Sequence, residues 1–241
     1  MTWSDTVSPP FSGCALFSLS DALVVDPIDS NSLYLVNSFL EGDSYALRKS
    51  TDGGTSWSNL LYGCCNPNAL VIDSINPATL YGGTPTGVLK STDGGAIWTN
   101  TGLSMAVNLL ALDPVKPTTL YAATGSSGLS GFGGLLKSTD GGASWAPINK
   151  GLESLMATRS PVTALVLDPA NPQLLYAGTS GYGVFRSDDG GAHWHAFNDG
   201  LTNLDVRILA LAPGRATALL AGTGSGMFVI DLSPETIRRR R

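Results

Sequence analysis

Between Val162 and Phe197 the chain alternates short apolar runs with polar breaks rich in glycine and proline. "VTALVLD" is β-branched and apolar on both faces, as expected of a strand sandwiched between neighbours. "PANP" reads as a turn, "LLYAGT" as a second strand and "SGYG" as a glycine-rich connection. "VFRS" predicts a third strand, "DDGG" a hairpin turn and "AHWHAF" a fourth strand. Short strands joined by turns argue against an α/β architecture, and no stretch carries sustained helical periodicity.

This order recurs along the chain. The pattern Ser-x-Asp-x-Gly-x-x-Trp appears four times, as Ser50, Asp52, Gly54, Trp57; Ser91, Asp93, Gly95, Trp98; Ser138, Asp140, Gly142, Trp145; and Ser187, Asp189, Gly191, Trp194. A second pattern alternates with it: "LVVDPIDSNSLYL" from Leu23, "LVIDSINPATLYGGT" from Leu70, "LALDPVKPTTLYAAT" from Leu110 and "LVLDPANPQLLYAGT" from Leu165. A degenerate fifth copy, "LALAPGRATALLAGT", starts at Leu209. Anchored on Asp26, Asp73, Asp113, Asp168 and Ala212, the steps are 47, 40, 55 and 44 residues. Such a step matches one four-stranded propeller blade. A lone repeat cannot bury its own apolar faces, so residues 1–241 are expected to form a single all-β domain.

Each residue type in the Ser-x-Asp-x-Gly-x-x-Trp pattern has a folding role. Glycine gives the turn its positive φ without steric cost. The aspartate accepts hydrogen bonds from turn N–H groups, and the serine hydroxyl helps close the loop. The tryptophan returns on the fourth strand and lays a large ring against the neighbouring blade.

The fifth unit departs from this pattern. "RILALAP", "ALLAGT" and "GMFVID" give three strands, but the tryptophan motif is missing. At the other end, Thr2-Trp3-Ser4 aligns with Ile97-Trp98-Thr99. The N-terminal segment is therefore expected to give the last blade its outer strand. The resulting fold class is a closed five-bladed β-propeller of four-stranded antiparallel blades. The blades are approximately 21–61, 69–101, 108–148, 162–198 and 206–231 plus 1–6, followed by a basic tail, 232–241. The rival expectation is a piece of a larger propeller, which needs about 45 to 90 further residues.

The four Ser-x-Asp-x-Gly-x-x-Trp copies resemble the Asp-box, or BNR, repeat. The alternating "LxLDPxNPxxLYAGT" segments are similar to those of sortilin-type propellers, bacterial xyloglucanases and the photosystem II assembly and stability factor. The resemblance covers nearly the whole chain and implies a β-propeller; it says less about activity, because function sits in sites grafted on folds. It also implies that Asp52, Asp93, Asp140 and Asp189 are structural and lie at the blade periphery, away from the ligand face. The ligand face would then be built from two loop sets, one between second and third strands and one between successive blades, where variable loops sit on a constant scaffold.

The candidate chemistry lies in those loops. A glycoside hydrolase needs two facing carboxylates roughly 5–10 Å apart. The loop candidates for such catalytic roles are Glu41, Asp43, Glu153, Asp199 and Asp205, against a background reading of solvated charge. The sialidase version lacks its Arg-Ile-Pro motif, and Arg186 stands where the other repeats carry lysine. The xyloglucanase relatives work in a cleft between two large propellers, whereas one small propeller offers no cleft partner. Phe132, Tyr182 and Tyr45 are the aromatic candidates for a ligand face that stacks on sugar or grips a peptide. His193 and His195 are the sole histidines. Two apart on an expected strand, they would share a face, but no third ligand stands near in sequence. No Gly-x-Ser-x-Gly elbow or phosphate loop is present.

Composition narrows the classes further. Charged residues are only 14%, and the net charge of −5 gives no nucleic-acid footprint. No run reaches the ~18 apolar residues of a membrane span. Cys14, Cys64 and Cys65 are too few for a disulfide scaffold, and free thiols or a vicinal pair at Cys64 and Cys65 both remain open. No cofactor is implied. The block Arg238–Arg241 reads as a solvated basic tail. With no signal peptide in the chain, the location stays open, an extracellular or periplasmic (secreted) site being preferred. The function expected is non-catalytic: a monomeric recognition or assembly module that binds a protein or a carbohydrate ligand through its loop face. The alternative is a sialidase-like or xyloglucanase-like glycoside hydrolase using loop carboxylates.

Overall fold

The computed structural model describes residues 20–37, 46–62, 67–125, 134–212 and 218–232. The expected closure by residues 1–6, the three cysteines and the basic tail lie outside these residues. The chain packs as two compact units, residues 1–108 and 109–241.

The first unit holds two antiparallel four-stranded sheets. One comprises β1 (Ser20–Val25), β2 (Leu33–Asn37), β3 (Ala46–Ser50) and β4 (Ser58–Tyr62), in that order. The other comprises β5 (Ala69–Ile72), β6 (Leu80–Thr84), β7 (Gly87–Ser91) and β8 (Thr99–Asn100). Their shared core gathers Tyr34, Val36, Leu47, Leu70 and Leu80, with Leu60 and Trp98 packed against it.

The second unit holds three sheets. The third sheet is β9 (Val107–Leu112), β10 (Leu120–Thr124), β11 (Gly134–Ser138) and β12 (Ala146–Pro147). The fourth is β13 (Val162–Leu167), β14 (Leu175–Thr179), β15 (Gly183–Ser187) and β16 (His195–Ala196). The fifth has three strands among the described residues, β17 (Val206–Leu211), β18 (Ala218–Thr223) and β19 (Gly226–Asp231). One core joins the third and fourth sheets through Tyr121, Leu135, Leu175, Phe185 and Trp194. Another joins the fourth and fifth through Tyr176, Val184, Val206, Leu219 and Leu232.

In the second, third and fourth sheets the second strand is covered on both faces. Every residue of β6, β10 and β14 is buried, whereas β13 alternates between buried and half-buried positions. These strands have a strand on each side and side chains against both faces, and the two residues after their Leu-Tyr pair are small, Gly82-Gly83, Ala122-Ala123 and Ala177-Gly178. The first strands β1, β13 and β17 each carry a bulge near the start.

Two hydrogen-bonded devices repeat along the chain. In the loop between first and second strands, the Asp168 carboxylate accepts the Ala170 and Asn171 amides at 2.8 and 3.3 Å, and Asp26, Asp73 and Asp113 do the same in their own loops. These are Asx turns, and they explain the aspartate of the second repeat. Between second and third strands, the hydroxyls of Thr84, Thr124, Thr179 and Thr223 donate to the carbonyl of the glycine opening the next strand.

Two details differ from the sequence expectation. The fourth strand predicted over "AHWHAF" shrinks to His195–Ala196, because the turn's own hydrogen bonds run through His193. A short helix, α1 (Glu153–Thr158), ends on Arg159 in the left-handed region at φ 59°. Six residues are too few for a helical period to register in the sequence.

Candidate functional site

The four tryptophan turns share one geometry. Each serine hydroxyl, that of Ser50, Ser91, Ser138 or Ser187, donates to the aspartate two residues on at 2.7–2.9 Å. The same oxygen accepts the amide of the second glycine at 2.9 Å. The aspartate in turn accepts the backbone amide four residues on, from Ser56, Ile97, Ser144 or His193. A third contact depends on the side chain there: Ser56 Oγ at 2.6 Å, Ser144 Oγ at 2.5 Å and His193 Nδ1 at 2.6 Å reach the carboxylate. Ile97 has no polar atom for that role.

These bonds set the carboxyl groups. Ser56 and its amide bring Asp52 down to about 2, and Ser144 does the same for Asp140. Asp93, held chiefly by the Ile97 amide, is also lowered. At Asp189 burial pushes upward, but the His193 amide and ring with the Ser187 hydroxyl bring it to about 2. The turn aspartates are therefore ionised acceptors with no proton to give near neutrality.

Two of the turns, one in each unit, are received by the sheet before them. In the first unit Tyr34 Oη donates to Gly94 O at 3.3 Å, and a Cβ on Gly95 would stand 2.6 Å from Leu60 Cδ1. In the second, Tyr121 Oη and Lys137 Nζ donate to Gly190 O at 3.4 and 2.8 Å, and a Cβ on Gly191 would stand 2.7 Å from Ile148 Cδ1. Burial raises the Tyr121 hydroxyl to about 12 and pushes the Lys137 ammonium down. Trp57, Trp98 and Trp145 donate Nε1 to the glycine carbonyl of their own turn, but Trp194 donates to Ile148 O at 2.9 Å. Trp194 is also the one buried among these four, the others being half-buried.

The loop side carries a different cluster. Asp205 bonds Ser180 Oγ at 3.1 Å through one oxygen and Arg207 Nε and Nη2, both at 3.2 Å, through the other. Asn203 accepts the Asp205 amide and donates to Ser225 Oγ at 2.8 Å. Leu204 O receives the Gly181 and Gly183 amides, so this loop is sewn to the β14–β15 hairpin. Arg207 leaves most of its side chain in solvent, with its guanidinium plane fixed by the carboxylate. A Cβ on Gly224 would crowd both Asp205 and Arg207. Asn198 completes the face: Oδ1 accepts the Val184 amide at 2.7 Å and Nδ2 donates to Tyr182 O at 3.0 Å.

The predicted residues distribute unevenly over this geometry. Asp205 lies in the loop cluster, and Asp199 lines a groove with Asp231 beside β19. Glu153 turns back to accept the Gly151 amide at 2.9 Å, and that bond lowers its carboxyl, the opposite of what a proton donor needs. Tyr182 is half-buried against the core of the third and fourth sheets. Glu41, Asp43, Tyr45 and Phe132 lie outside the described residues. His193 sits in the turn rather than on a strand, and no group of three metal-ligating side chains forms among the described residues. Sequence reasoning missed Ser180, Asn203 and Arg207 as partners of Asp205, and Ser225 as the partner of Asn203, since only the folded loops bring them together.

No family model matches the sequence, and no curated protein does. Among solved structures, an ancestral GH74 enzyme is similar with a TM-score of 0.66 at 23% identity, over 84% of this chain and 27% of the enzyme. YCF48 from Cyanidioschyzon merolae gives 0.58 at 13% identity, over 93% and 69% of the two chains. A chain of the COPII outer coat vertex on membranes gives 0.61 at 13%, over 85% and 59%. This chain thus spans about a quarter of the GH74 enzyme's length. At such identities the likeness shows the fold alone, and that fold is a β-propeller.

Proposed function

We propose that this chain is a non-catalytic recognition or assembly module, a monomeric five-bladed propeller that binds a protein or glycan through its loop face. The four tryptophan turns are Asp-boxes with a purely structural role, and residues 1–6 complete the fifth blade. The observation that carries the functional reading is the Ser180–Asp205–Arg207 cluster, which offers a fixed guanidinium plane to solvent. An oriented arginine of this kind suits sugar hydroxyls or a peptide carboxylate. Glu153 and Asp205, two of the carboxylates a hydrolase would recruit, are bonded within their own loop neighbourhoods. The solved propellers similar to this chain include a COPII outer coat chain as well as GH74 enzymes.

The hydrolase alternative draws on one observation, that Asp199 and Asp231 line the same groove. Retention on an immobilised panel of glycans and peptides, with turnover of xyloglucan oligosaccharides and chromogenic glycosides in parallel, decides between them. The expected result is retention without turnover, reduced about tenfold or more in Arg207→Ala. Turnover that disappears in Asp199→Asn would replace this reading with the hydrolase.

A further inference from the structure

Five aspartates of the chain are followed by glycine: Asp52, Asp93, Asp140, Asp189 and Asp199. An aspartyl-glycyl bond is chemically labile, because a glycine amide carries no side chain to keep it from the neighbouring carboxyl carbon. When that nitrogen attacks Cγ, an N–C bond forms, and the hydroxyl leaves with the amide proton as water. The product is a succinimide ring, which water reopens at either carbonyl. One opening restores aspartate; the other gives isoaspartate, whose main chain runs through Cβ and Cγ. The reaction balances with water alone.

The fold treats the five bonds unequally. In the four tryptophan turns the attacking nitrogen is engaged. Gly53 N donates to Asn31 O at 3.0 Å, Gly94 N to Ala78 O at 2.9 Å, and Gly141 N to Thr118 O and Gly190 N to Gln173 O, both at 2.8 Å. The carboxyl is held as well, by the serine hydroxyl two residues before it and the amide four residues after it. Both ends must let go before the ring can close. The same bonds keep the group ionised, and only the neutral acid has a hydroxyl to lose. Lowering Asp52, Asp140 and Asp189 from the ordinary ~4 to about 2 cuts that neutral form about a hundredfold at a given pH.

Asp199 stands outside these turns. It begins the centre of a four-residue turn after β16, closed by Leu201 N donating to Asn198 O at 2.9 Å, with Gly200 at φ +81°. The Gly200 amide makes no hydrogen bond among the described residues, and a Cβ there would meet nothing within 4 Å. All five aspartates are exposed, so access to water does not separate them; the state of the glycine amide does. We infer that the Asp199–Gly200 bond is the site where the folded chain isomerises, a spontaneous covalent modification from which the four tryptophan turns are shielded. The extra main-chain atom would fall between Phe197 and Leu201, which both pack on the core of the fourth and fifth sheets, and would lengthen the span closed by the Leu201–Asn198 bond. The inference is independent of the loop-face reading.

The test incubates the full chain in heavy-oxygen water at mildly acidic pH, folded and in urea. Each ring opening leaves one heavy oxygen at the site, which peptide mapping reads, and electron-transfer fragmentation tells isoaspartate from aspartate. In the folded chain Asp199 should gain label about tenfold or more faster than any turn aspartate, whose reaction waits on local opening. In urea all five should label at similar rates. A paired measurement uses asparagine, which reaches the same ring by losing ammonia and needs no neutral acid, so the glycine amide alone is compared. Below their melting transitions, Asp199→Asn should lose ammonia about tenfold or more faster than Asp140→Asn, and the difference should vanish in urea. Equal labelling of Asp199 and the turn aspartates in the folded chain overturns the inference. So does loss of ammonia from Asp199→Asn no faster than from Asp140→Asn. Labelling of folded Asp199 that falls as far below its rate in urea as the turn sites do also overturns it, since its turn would then be locked like theirs.

Discussion

Gly95 and Gly102 make a matched pair for separating steric contact from backbone strain. Both lie in the first unit and have nearly the same dihedral, φ +93° and +90°. A Cβ on Gly102 meets nothing within 4 Å, whereas one on Gly95 stands 2.6 Å from Leu60 Cδ1 and 3.7 Å from Trp98 Cζ2. Gly102→Ala therefore carries the left-handed backbone term alone, ~1–2 kcal/mol. Gly95→Ala adds overpacking against the half-buried Leu60, typically ~1–3 kcal/mol more. In a chain of this length 1 kcal/mol moves the melting midpoint by about 2–4 °C, so the two variants should separate by about 2–12 °C. Thermal melts followed by circular dichroism and by tryptophan fluorescence measure the gap, with coincident transitions required before it is converted to free energy. A further variant, Gly95→Ala with Leu60→Ala, should recover part of the added loss, since the colliding methyl is gone. Equal midpoints for Gly95→Ala and Gly102→Ala would refute the idea that the turn is seated against Leu60.

Other outcomes follow from the same turns. Trp194→Ala should cost ~3–5 kcal/mol, because a ring 4% exposed leaves a cavity, and more than Trp57→Ala, whose ring is half-exposed; urea midpoints measure both, and equal losses would contradict the ranking. Ile97→Ser should raise the melting midpoint by roughly 1–3 °C by giving Asp93 the third contact that Ser56 gives Asp52. The lowered carboxyls of Asp52, Asp140 and Asp189 act in one direction with pH. Their folded values lie below the unfolded ~4, so their stabilisation is complete above pH ~4–5 and is lost as pH falls toward 2. A urea-midpoint series from pH 6 to 2 should show that loss, and Asp140→Asn should flatten it; an unchanged acid limb would show that the hydroxyl bonds do not favour the charged form.

The repeat and its hairpins were legible because each is a local affair. Ser138, Asp140 and Gly142 bond one another within four residues, so the bonds leave a fixed spacing in the sequence. The Asx turn at Asp168 is equally local. The short fourth strand was not legible, because His193 can sit on a strand or lend its ring to Asp189, and the turn decides. Helix α1 escaped notice for want of length. The loop cluster was hidden for a different reason. Ser180 and Asp205 are 25 residues apart and meet only where the β14–β15 hairpin is sewn to the following loop. Asp205 was nameable as a loop carboxylate, but its engagement by Arg207 is a property of the fold.

The seating of the second and fourth turns on the sheet before them sets where damage surfaces. Gly95 belongs to the second sheet, yet its seat is Leu60 on the first; Gly191 belongs to the fourth, yet its seat is Ile148, just beyond the last strand of the third. A lesion in one turn should therefore unlatch amides in the neighbour upstream at least as much as those around the lesion itself. Hydrogen exchange in Gly191→Ala would then show its fastest new opening around Ile148, one repeat away from the altered residue. The element that opens as a unit is the joint between two sheets, and the sheet itself is only half of it.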